Sequence, residues 1–167
     1  DEYLDLMNEF EKKDIPLTVA CIDMDWHWVD VEKRFGDKAK DYPKPKNPIA
    51  YITGCFWNPG WTGYSWNTEL FPDHVRFLKM LHEKGLKTNL NIHPAQGVRF
   101  FEDSYVEFAK HIGIDEKSKE PIDFDFTDKS FIEGYFKFIN SPMEKEGVDF
   151  WWIDWQQGKT CRMPGLD

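Results

Sequence analysis

Hydrophobic residues change their spacing several times along the chain, and each change marks an element. Leu4, Met7 and Phe10, with Leu6 less regularly placed, form an apolar stripe at helical spacing from the first residues to about Lys13. Pro16 ends the stripe. Leu17 to Ile22 follow as a short apolar run, suited to a strand of a parallel sheet covered on both faces. At Asp23-Met24-Asp25-Trp26 polar and aromatic residues take over. Positions 29–66 show no period and are rich in Pro, Gly, Lys and aromatics, which reads as a functional loop or a small excursion.

Periodicity returns after Phe71-Pro72. Asp73 is placed as an N-cap, Val75, Leu78 and Leu81 form the expected inner face, and Gly85 is a stop. Leu86 to Ile92 reads as a second strand, broken by His93-Pro94. A helix is expected from about Glu102 to His111. Asp128 caps another, with Phe131, Ile132, Tyr135, Phe136 and Ile139 as its apolar set, broken at Pro142. Glu144 to Glu146 reads as a polar turn before Gly147, and Val148 to Ile153 as a third strand. Strands alternating with helices imply βαβ units and a parallel sheet. Each strand ends on polar or ionisable residues: Asp23 and Asp25, then Asn91 and His93, then Asp154 and Gln156. Parallel α/β architectures place their chemistry at the carboxyl ends of strands, so these three ends are the candidate site.

Composition narrows the classes. A chain of 167 residues, 41% hydrophobic, is long enough for one core, either a single domain or part of a larger one. A net charge of -9 argues against nucleic acid and against an anionic membrane surface as partners. No apolar run is long enough to span a bilayer. The heavy load of tryptophan and tyrosine fits either core packing or stacking on a ligand. Cys21, Cys55 and Cys161 lack any C-x-x-C pairing, so free thiols in a reducing, cytoplasmic setting are expected. The chain opens on Asp1-Glu2-Tyr3 inside an apparent helix, so it reads as an excised piece.

Asp154 follows a strongly apolar strand and is flanked by Trp151, Trp152 and Trp155, flat surfaces suited to sugar rings. A carboxylate there can stabilise or attack an oxocarbenium-like centre. The alternative is a helix cap, or an ion pair with Lys159 or Arg162. A carboxylate at Asp23 can accept from two adjacent sugar hydroxyls, and only one of Asp23 and Asp25 can readily face the mouth. His93 can bind a hydroxyl, move a proton or serve structurally. Asp23, His27, His93 and Asp154 form a loose metal-ligand set without a tight histidine pair, a weaker reading. Asp123, Asp125 and Asp128 lack the glycine and terminal glutamate of a calcium loop and are better explained by helix capping and solvent exposure. No phosphate loop, dinucleotide fingerprint or nucleophile elbow is present, and neither a metal nor an organic cofactor is expected.

These residues resemble a known family. Ile15-Pro16-Leu17 with Ile22-Asp23-Met24-Asp25-Trp26 is similar to the second barrel strand of family 31 glycoside hydrolases, the α-glucosidase and α-xylosidase group. The likeness continues in order through Trp66-Asn67-x-x-x-Phe71-Pro72-Asp73, Leu81-His82-x-x-Gly85-x-Lys87, Ile92-His93-Pro94, Phe124-x-Phe126-Thr127 and Trp152-Ile153-Asp154-Trp155. It implies a partial (β/α)8 TIM-type barrel, an α/β fold in which residues 1–167 belong to one catalytic domain. An inserted loop region lies at about 29–66. It implies Asp154 as nucleophile of a retaining α-glycosidase, Asp23 on the sugar's hydroxyls, and Met24, Trp152, Asn91, His93 and Trp155 as further substrate contacts. The acid/base would come from the rest of the catalytic domain, leaving the isolated piece inactive. Trp155-Gln156-Gln157 stands where Met-Asn-Glu is usual, and His93 where many members carry Asp. An α-glucoside is the expected substrate, with an α-galactoside or α-N-acetylgalactosaminide as alternative. A non-catalytic carbohydrate-binding or scaffold module is the reading from another class.

Overall fold

The structure is a computed structural model that describes residues 2–40 and 60–154. Its helices and strands alternate as the hydrophobic pattern requires. Helix α1 (Glu2–Lys12) leads to β1 (Val19–Ile22), with Leu4 and Met7 buried and the Tyr3 hydroxyl donating to the Cys21 carbonyl at 2.9 Å. A short helix α2 (Val31–Phe35) comes next, then α3 (His74–Glu83) and β2 (Lys87–Ile92). Helix α4 (Tyr105–His111) follows. Helix α5 (Lys129–Tyr135) runs through a π turn (Phe136–Asn140) into α6 (Ser141–Glu146), which precedes β3 (Phe150–Ile153). The three strands form one parallel sheet in the order β1-β2-β3. The core lies between this sheet and the helices, built on Leu78, Leu81, Leu90, Ile92, Phe108 and Ile139.

The structure corrects several expectations and fills in others. In α3 the inner face is Phe77, Leu78 and Leu81, while Val75 is exposed. Adding Phe77 moves the centre of the stripe roughly 110° from Val75 at 100° per residue. The aperiodic stretch contains α2, started by Asp30, whose carboxylate accepts the Lys33 N–H at 3.0 Å. It then returns to the core, where Trp66 bridges His27 in antiparallel fashion and meets the Trp26 ring at 5.1 Å. Positions 41–59 of it, with Cys55, lie outside the described residues.

Pro142 does not end the helix that Asp128 caps. The preceding π turn carries the Ser141 N–H back to the Phe136 carbonyl, and this wider turn accommodates a residue that has no N–H. The chain stays helical through Glu144 and Glu146, and Phe136, expected inside, faces out. Finally, burial on both faces holds for the central strand but not for its neighbours. Val19 and Cys21 of β1, and Phe150 and Trp152 of β3, are exposed among the described residues. Cys21 is a free thiol, as expected.

Candidate functional site

The register of the sheet assembles the strand ends. Ile22 is level with Leu90, and Ile92 with Ile153. One step further, Asp23 falls in the row of Asn91 and Trp152, and His93 in the row of Asp154. The ladder itself continues there, since the Asp154 N–H donates to the Ile92 carbonyl at 3.0 Å. Alternation puts Trp152 and Asp154 on one face of β3. Onto that face Asn91 Nδ2 donates to Asp154 Oδ2 at 3.4 Å, and His93 Nε2 stands 3.5 Å from the same oxygen. Asn91, His93 and Asp154 therefore touch. The first two are buried, whereas the Asp154 side chain keeps 27% of its surface exposed.

Asp23 is exposed, and its Oδ1 accepts the Met24 N–H at 2.7 Å, starting a 3-10 turn over Met24–Trp26. That turn drives Trp26 inward, where its indole N–H donates to the Asn91 carbonyl at 2.7 Å. Met24 is half-buried at the head of the turn. Trp155 lies outside the described residues, as do Lys159 and Arg162. Asn91 Oδ1 and His93 Nδ1 are buried and have no hydrogen-bond partner among the described residues.

A second layer comes from residues 60–67. The Trp61 ring lies 4.9 Å from the His93 ring, and the Thr62 hydroxyl donates to the His93 carbonyl. Gly63 lets this segment close. A Cβ there would stand 2.2 Å from His27 Nδ1, inside van der Waals contact. His27 is wholly enclosed; burial drives its pKa down to about 4, and proximity to His93 adds to the effect. The segment is held from behind by Glu102, whose buried carboxyl accepts the Tyr64 N–H at 3.2 Å and the Ser65 hydroxyl. Burial pushes the Glu102 pKa up to about 7, although both hydrogen bonds pull against it. Trp61, Thr62 and Glu102 were not legible as site residues. The only local sign is the Gly60 and Gly63 pair in an aromatic stretch, which marks close backbone approach without saying to what.

No group of three or more His, Cys, Asp or Glu among the described residues is placed to share a metal ion. No described helix is long and apolar enough to cross a membrane. Asp128 caps α5, accepting the Phe131 N–H at 3.0 Å, and Asp125 accepts the Thr127 N–H at 3.0 Å within the turn before it.

A small parallel sheet packed on helices, with a carboxylate, an amide and an imidazole meeting at the carboxyl ends of its strands, is consistent with part of a β/α barrel. A family model described as the glycosyl hydrolases family 31 TIM-barrel domain matches residues 1–165, and the chain belongs to that family. Membership supports a glycosyl hydrolase function and a glycoside as the class of substrate. No curated protein matches the chain.

Proposed function

We propose that this chain supplies the nucleophile, Asp154, of a retaining α-glycosidase, and that residues 1–167 are part of its barrel catalytic domain. The region at about 29–66 would be an insertion in that domain. The observation that carries the reading is the convergence of Asn91 and His93 on one oxygen of Asp154, at the end of a barrel strand. A carboxylate that accepts from Asn91 and lies beside the His93 ring is oriented for attack, which a nucleophile needs.

In the first step a carboxylate oxygen of Asp154 bonds to the anomeric carbon as the bond to the leaving oxygen breaks. A carboxylic acid from the remainder of the domain protonates that oxygen. Water then attacks the glycosyl-enzyme, gives its proton to the same group and restores Asp154, so the anomeric configuration is retained. The two carboxyls of such a pair lie about 5–5.5 Å apart. Asp23 would accept from hydroxyls of the bound sugar, with Met24, Asn91, His93, Trp152 and Trp155 around it. An α-glucoside is the proposed substrate, and the chemistry calls for no metal or organic cofactor.

Asp154→Asn in the full-length protein tests this. The amide is a poor nucleophile, so turnover of an aryl α-glucoside should fall by about three orders of magnitude or more, comparable to loss of the nucleophile in other covalent mechanisms. An activated fluoro-α-glycoside should label Asp154 in the wild type. Near-normal turnover by the variant, or no labelling, would remove the nucleophile and favour a sugar-binding module.

A further inference from the structure

His93 is burdened with more constraint than a sugar contact requires. Its side chain is only 4% exposed, so it has little surface to offer a ring in the site. The Trp61 ring lies against its imidazole, and the Thr62 hydroxyl holds its carbonyl. Thr62 Oγ1 in turn accepts the Gln96 N–H at 3.3 Å, which links the segment to the turn after β2. The segment has its own buried anchor in Glu102, through Tyr64 and Ser65. Among the described residues, the ring atom that this clamp aims at a functional group is Nε2, which faces Asp154 Oδ2. Donation to a carboxylate requires the proton on Nε2, and the absence of a partner for Nδ1 among the described residues is compatible with that tautomer.

We infer that His93 is a positioning residue for Asp154: its Nε2–H, held by Trp61 and Thr62, fixes the plane of the carboxylate for attack. The inference rests on Asp154 being the nucleophile. A carboxylate free to rotate spends most of its time out of line with the anomeric carbon, and this loss falls on the chemical step rather than on binding. Asn91 donates to the same oxygen from the same strand, so removing His93 weakens the orientation without abolishing it.

The test is steady-state kinetics of the full-length protein on whichever aryl α-glycoside, glucoside or galactoside, the wild type turns over. His93→Ala should lower kcat by on the order of 10²-fold, the scale of a misplaced reacting group, with KM changed by less than about threefold. The rate of covalent capture by the matching fluoro-α-glycoside should fall in parallel. His93→Gln returns an N–H close to the position of Nε2 and should recover kcat to within about tenfold of wild type. A rise in KM with kcat held would make His93 a substrate contact and overturn the inference, as would an unchanged kcat in His93→Ala. Equal losses in Gln and Ala variants would also overturn it. Should His93→Ala fail to fold, Trp61→Leu, which removes the ring beside the imidazole, carries the same kcat expectation. Asp154→Asn separates the two levels: if it is inactive while His93→Ala is normal, the positioning role fails and the nucleophile stands. If Asp154→Asn is active, the nucleophile itself fails.

Discussion

The indole N–H of Trp26 donates to the backbone carbonyl of Asn91 across 2.7 Å, in a buried setting sixty-five positions away in sequence. It joins the turn that leaves β1 to the end of β2. Because the Asn91 side chain then reaches Asp154, the three strand ends are connected by two successive hydrogen bonds.

Trp26→Phe keeps an aromatic ring and removes the donor. Leaving a buried carbonyl short of its partner costs about 1–3 kcal/mol. The midpoint of urea unfolding should drop by the corresponding amount with the slope unchanged. An unaltered midpoint would show that water replaces the indole at no cost.

Two buried titratable groups give stability opposite dependences on pH. Glu102 is raised from 4.5 to about 7 by burial, with Asp103 adding and Ser65, Tyr64 and Arg34 opposing. Its neutral form suits the fold, so its stabilising influence is full below about pH 4.5 and lost as pH rises through 7. His27 is lowered from 6.5 to about 4, so its influence is full above 6.5 and lost as pH falls through 4. In the wild type the two slopes oppose each other between pH 4.5 and 6.5. Glu102→Gln leaves only the second of these, and its unfolding free energy should climb more steeply with pH over that window. A flatter profile than wild type would contradict the assignment.

Asp149 works at the acid end. Burial raises its pKa, but Lys87 at 2.8 Å, the Thr88 N–H at 2.9 Å and His82 at 2.7 Å outweigh this and hold it well below the usual carboxylate range. Its contribution is present above the ordinary aspartate value and lost as pH falls through the lowered one. Asp149→Asn should therefore be less stable than wild type at pH 7, with the difference closing in thermal melts taken toward pH 2. A gap independent of pH would point to packing instead.

Gly63→Ala places a methyl carbon against the enclosed His27 ring. Overpacking of this kind costs about 1–3 kcal/mol. Since the same segment carries Trp61 and Thr62 to His93, turnover measured well below the melting temperature should fall as well. A destabilised variant with full turnover would separate the segment from the site.

The long helices were legible because burial enforces their period, and the strands because they are short apolar runs bounded by turn signals. The candidate site was legible as far as strand ends reveal it: Asn91, His93 and Asp154 do meet. What escaped depends on contacts between distant segments. Helix α2 has too few residues to show a period, and only the Asp30 cap marks it. Glu102 looks like any acidic residue at a helix start, since nothing local says that residues 64 and 65 cover it. Val75 shares helical spacing with Leu78 and Leu81, but Phe77 pulls the buried face away from it. The roles of Asp23, Met24 and Trp152 rest on their row in the sheet and on the family likeness, while Trp155 lies outside the described residues.

The π turn has a consequence for how this part of the chain can change length. Phe131, Tyr135, Ile139 and Met143 are all buried, a repeat of four residues. In an uninterrupted α-helix such a repeat drifts by 40° per step, about 120° over the three steps. The wide turn at Phe136–Asn140 takes up nearly one residue, about 100°, and brings Met143 back onto the core face. It behaves as the trace of a single inserted residue. Deleting one residue there would leave the apolar face aligned and β3 in place, but it would set Pro142 inside a tight helical turn. Only together with Pro142→Ala would the shorter helix close, so the wide turn and its proline can be removed only as a pair.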